Sequence, residues 1–160
     1  MTNNNSQSNP KQNFKINFII YFALLAGIMM FALLAYFFPN GQEVGKNENL
    51  LSILTYVVPT FAVFEIFLSR FMYSKFILQI QNNATLLEKI SKYRTAKIVS
   101  WALLEGAALF SVVAFIITRS VFFFVVLFVI IIAFILSKPS IDEFLSNFRI
   151  EGNERDDLTR

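Results

Sequence analysis

The chain contains no cysteine and no histidine. The first absence excludes disulfides and thiol nucleophiles. The second removes imidazole bases and histidine-held haem, and the two together remove thiolate or imidazole zinc sites. Only carboxylates remain to hold a metal, so neither a metal site nor a cofactor is expected. Glycine (5) and proline (4) are scarce in the 160 residues, and neither a glycine-rich phosphate loop nor a serine-nucleophile motif occurs. The usual parts of an enzyme are missing, and a non-catalytic role is expected. Charged residues make up only 16%. Despite a net charge of +3, no folded basic domain exists to bind nucleic acid.

What the chain has instead is apolar length. Hydrophobic residues reach 56%, with a mean hydropathy of +0.57. They fall in four runs, Ile16 to Phe38, Leu50 to Ser69, Ala96 to Thr118 and Val121 to Ser137, each near the roughly 20 residues that cross a ~30 Å hydrocarbon core. Backbone polar groups in lipid must pair within their own segment, which makes the runs helices, even the β-branched stretch Val121 to Ile135. The expectation is an all-α polytopic membrane protein of four transmembrane helices in two antiparallel hairpins. It comprises a disordered N-terminus over 1–15, a four-helix domain over 16–137, and a short amphipathic helix with a polar tail over 138–160. The first run exceeds a signal-peptide core and lacks a small-residue cleavage pattern at Ala35-Tyr36-Phe37-Phe38-Pro39, so it reads as a retained anchor. No repeat of solenoid length is present.

The basic residues set the orientation. Every lysine and arginine except Lys46 and Arg119 lies before the first run, between the second and third or at the very start of the third (Lys97), or after the fourth. The positive-inside rule then puts both termini and the central loop on the cytoplasmic side of an inner (plasma) membrane. The same basic rim favours anionic lipid headgroups.

Between the second and third runs, Tyr73, Phe76, Ile77 and Ile80 continue a helical stripe, and Leu87, Ile90 and Arg94 begin another. Gln81-Asn82-Asn83 is a poor helix interior, whereas Thr85-Leu86-Leu87-Glu88 has the capping-box pattern that starts a helix. The spacing predicts a third helix from about Leu86 to Thr118, roughly 50 Å long. Helices two and three would then extend into the cytoplasm as a hairpin. Two helices lying flat beneath the membrane use the same stripe.

Folding that hairpin about Asn83 sets Glu65 opposite Trp101, with Glu105 about four residues deeper, so the two carboxyls can face one cavity. Ionisable groups at such depth usually face a bundle interior or a water-filled pocket, and two neighbouring carboxylates would not both ionise. Glu105, Glu65 and Trp101 are thus a candidate proton or cation site. The plainer reading of Glu65 is an interfacial ion pair with Arg70 or Lys97. The plainer reading of Glu105 is a protonated side chain joining helices, with the Trp101 indole as its donor. Small residues four apart, Ala102 with Gly106 and Ala107 with Ser111, predict close helix packing, as do Ala23 and Gly27. Pro59 predicts a kink and a polar notch near Thr55 and Thr60. Beyond the fourth run, Ser140-Ile141-Asp142-Glu143 is a second capping box, and Phe144, Leu145 and Phe148 predict a helix lying on the membrane surface.

Trp101-Ala102-Leu103-Leu104-Glu105-Gly106, with Lys138-Pro139-Ser140 after the fourth run, resembles a family of small uncharacterised bacterial four-helix membrane proteins. The likeness covers roughly the C-terminal half and implies no known activity. Proline often follows the glycine in that family, where this chain has Ala107. Glu105 to Phe110 is also similar to the proton-carrying helix of rotary ATP synthase c-subunits. The glycine-rich partner helix of those subunits is absent, since the runs hold only Gly27 and Gly106. Two functions fit: a structural or accessory membrane component, or proton or cation translocation by Glu105 with Glu65 through a homo-oligomer. A second membrane protein as partner suits either one.

Overall fold

The computed structural model describes residues 10–37, 48–79, 84–148 and 150. Among them the chain is entirely helical: α1 (Pro10–Phe37), α2 (Glu48–Leu78), α3 (Leu86–Thr118), α4 (Phe122–Leu136) and α5 (Ile141–Phe148). Three of these, α1, α2 and α3, are long and apolar enough to cross a membrane. At 15 residues α4 measures about 22 Å, short of the ~30 Å core. It qualifies as a fourth crossing only when joined to α5 across a 61° bend. The predicted single run over 121–137 is therefore a shorter helix that ends in a corner.

Helix α3 starts and stops where local chemistry requires. Thr85 is extended, and its hydroxyl accepts from the Glu88 amide at 3.4 Å. Glu88 does not reach back to complete the box; it pairs with Lys92 at 2.9 Å. At the far end Arg119 takes a left-handed conformation (φ 54) that arginine rarely adopts. Its amide donates to the Phe115 carbonyl at 2.7 Å, and its guanidinium donates to the Ala35 carbonyl at the end of α1 at 3.1 Å.

Cross-helix contacts define the chain directions. Arg94 donates to Asn17 near the start of α1 and Arg119 to Ala35 near its end, so α1 and α3 run parallel. Ser69 meets Ser100 and Phe61 meets Phe110, so α2 runs antiparallel to α3. Trp101 meets Ser137 and Ser111 meets Phe123, and the same holds for α4. Helix α3 is the central element, packed against α1, α2 and α4.

Two apolar clusters result. The body gathers Trp101, Leu104, Ala107, Ala108, Ile130 and Phe134 around α3. A separate base cluster joins Phe14, Ile90, Tyr93, Phe144 and Ile150. The base corrects two expectations. The disorder expected over 1–15 is not found at 10–15, where Pro10 onward is helix and Phe14 is buried, stacked on Tyr93 with centroids 5.8 Å apart; residues 1–9 lie outside the described residues. Nor does α5 lay its apolar face on lipid, because Phe144 is fully buried among Phe14, Tyr93 and Phe148. The predicted break at Gln81-Asn82-Asn83 and the polar tail from Glu151 lie outside the described residues.

Candidate functional site

Helix α3 buries two lysines, Lys89 and Lys97, and Lys97, at the start of its apolar stretch, is the deeper. Its residue is 4% exposed, where an unpaired ammonium would be costly. The 61° bend after α4 solves this by swinging Glu143, on the first turn of α5, against it. Lys97 Nζ lies 2.9 Å from Glu143 Oε2 and donates to the Ser137 carbonyl at 3.3 Å. Tyr73 donates to Glu143 Oε1 and Tyr93 to Oε2 at 3.2 Å. Asn147 in turn donates to the Tyr73 hydroxyl at 3.0 Å. The ammonium also sits 4.5 Å from the centre of the Tyr73 ring, a cation–π approach that compensates for lost water. Glu143 is thus the hub of a clasp joining α2, α3 and α5. The predicted capping box does not form, since the Ser140 amide donates to Tyr93 instead, at 3.4 Å.

Beside the clasp a cavity of about 240 Å³ opens between α2, α3 and α4, with Arg70, Tyr73, Lys97 and Glu143 at its polar end. Its wall carries Ser69 and Ser100, both buried, whose hydroxyls pair at 2.6 Å. Arg70 is exposed and makes no ion pair or hydrogen bond among the described residues.

The residues predicted to form an intramembrane site do not converge. Glu65 lies midway between Phe61 and Ser69, and Glu105 midway between Ser100 and Phe110, so the two stand level along the helix axes, one turn off the predicted register. They nevertheless occupy opposite flanks of α3. Glu105 follows Arg94 and Trp101 by three turns and one turn, on the face that touches α1. Glu65 sits on the buried stripe of α2 with Val58, Ala62 and Ser69, reaching α3 from the other side. Neither carboxyl lines the cavity. Glu65 is 8% exposed, and its Oε2 meets no hydrogen-bond partner among the described residues.

The partners assigned from sequence also change. Lys97 goes to Glu143, not Glu65, because α5 brings a carboxylate nearer the polar end. Trp101 is fully buried and donates to the Ser137 carbonyl at 3.1 Å, not to Glu105, since α4's last turn leaves that carbonyl without an intrahelical partner. Ala107 and Ser111 are buried, and Ser111 donates to the Phe123 carbonyl at 3.0 Å. Ala102 and Gly106 are exposed, and a Cβ on Gly106 or Gly27 would meet nothing within 4 Å, so these small pairs mark no contact inside the chain. Pro59 is accommodated within continuous α2. Thr55 and Thr60 turn their hydroxyls back to the Leu51 and Tyr56 carbonyls, each at 2.7 Å, so no polar notch forms between helices.

Glu143, Tyr73 and Tyr93 were missed as a group. The available signal was Lys97 itself: a lysine one turn past Tyr93 on an apolar helix calls for a carboxylate from elsewhere in the chain. Comparison of the chain with known protein families, with curated proteins and with solved structures finds no match.

Proposed function

We propose that the protein is a non-catalytic integral membrane component, structural or accessory in role, with its basic end and both termini in the cytoplasm of a bacterial inner membrane. In this reading α2 and α3 extend past the bilayer as a hairpin, and α5 folds back to lock their base to the end of α4. The observation that carries it is the closure of the clasp: both Glu143 oxygens are taken by groups of the same chain, Lys97, Tyr73 and Tyr93. A fixed network of this kind braces three helices and occupies both oxygens of Glu143. Anionic headgroups at the basic rim, and a second copy or another membrane protein beside the exposed face of α3, are the partners this arrangement suits.

Translocation of protons or a cation by Glu105 with Glu65 through a homo-oligomer is the second reading. The unpartnered oxygen of buried Glu65 favours it; the opposite flanks taken by the two carboxyls weigh against it. Glu105→Gln and Glu65→Gln, each reconstituted in proteoliposomes, separate the two. Under the structural reading, both variants fold, express and leak protons at the rate of the original chain. Loss of flux in either one transfers the assignment to transport.

A further inference from the structure

The cavity beside the clasp is graded along the helix axes. At one end stand Arg70 and the Lys97–Glu143 pair, and the wall beside them carries the Ser69 and Ser100 hydroxyls. One turn toward the apolar body on each contributing helix, the lining becomes Ile66 on α2, Leu104 on α3 and Ala133 on α4. Its charged residues sum to a single positive charge, because Glu143 neutralises Lys97 and leaves Arg70. Arg70 offers a planar fork of donors suited to phosphate oxygens. A site with one spare cation and hydroxyls at its polar end and an apolar slot beneath has the polarity of an amphiphile bearing one negative charge.

We propose that this cavity is a specific site for an anionic phospholipid, with the phosphodiester on Arg70 and an acyl chain lying past Ile66, Leu104 and Ala133. The proposal rests on the membrane reading above. It goes beyond general attraction to a basic rim because it assigns recognition to one arginine at one cavity.

The chain carries its own reporter. Trp101 is its only tryptophan, and its indole is bonded to Ser137 of the cavity wall. The whole chain is reconstituted in mixed bilayers in which either phosphatidylglycerol or phosphatidylcholine, at equal mole fraction, bears brominated acyl chains. Brominated phosphatidylglycerol is expected to quench Trp101 with a roughly fivefold preference, the size expected of one arginine facing an anionic headgroup. Arg70→Gln brings that preference to about one, whereas Lys75→Gln, an exposed rim residue outside the cavity, leaves it unchanged. Equal quenching by the two lipids, or equal effects of the two substitutions, overturns the site while leaving the membrane reading intact. Relief of quenching by added inorganic phosphate assigns the cavity to a soluble anion and overturns the lipid. Absence of quenching by either lipid, from an indole fully buried in the bundle, overturns the site as well, whereas failure of the chain to float with the vesicles defeats the membrane reading itself.

Discussion

The body and the base of this bundle are held together by different forces. In the body, α3 packs by shape: Leu104, Ala107, Ala108 and Val112 fill the space beside Ile28, Ile130 and Phe134, and only isolated hydrogen bonds such as Ser111 to Phe123 cross between helices. Lipid tails are as apolar as leucine, so burial there adds little drive and packing contacts carry the association. At the base, aromatic rings cluster around Tyr93, and a part-buried ion pair with its tyrosine hydrogen bonds ties three helices. Geometry matters more at the base, because a buried charge that loses its partner is left uncompensated. The bundle therefore concentrates its fragile interactions at one end.

Three substitutions test that contrast. Glu143→Ala has the largest expected effect. It strips the counter-charge from a lysine whose side chain is 5% exposed, a loss of about 3–5 kcal/mol for a buried pair broken on one side. The midpoint of detergent-induced unfolding should fall sharply, and adding Lys97→Met should restore most of it. A shift worth under about 1 kcal/mol would mean the clasp is solvated and the base no more fragile than the body.

Trp101→Phe keeps most of the packing but removes the bond to Ser137, which bridges body and base. The expected cost is about 1 kcal/mol, read from the same unfolding midpoint, with α5 remaining docked. Release of α5 to protease by this change would instead make Trp101 part of the clasp. Gly106→Ala should have the smallest effect and the opposite sign. Its Cβ enters open space, and alanine favours a helix interior by about 0.5–1 kcal/mol. If it destabilises the protein, or splits an oligomer on size-exclusion chromatography, the exposed lane through Ala102 and Gly106 is packed against another copy.

Much of the architecture was legible in the residues. Run lengths specified helices, and the Thr85 cap marked the start of α3 at Leu86, because capping and bilayer solvation are local or one-dimensional constraints. The site was less legible. Lys97 was read only as one possible ion-pair partner of Glu65 on α2, whereas its carboxylate, Glu143, lies 46 residues away in sequence. Small residues four apart could be seen, but not which pairs face a neighbour: Ala107 and Ser111 do, whereas Ala102 and Gly106 do not.

By itself, the sequence determined that this chain is helical, apolar in long runs, basic at one end and without thiol or imidazole chemistry, since composition and period depend only on neighbours along the chain. Only the tertiary structure decided that Glu65 and Glu105 stand level on opposite flanks of α3, and that α5 turns inward to give Lys97 its partner. Both outcomes depend on helix rotation and on a 61° corner, which are set by how side chains from distant segments fill a shared space.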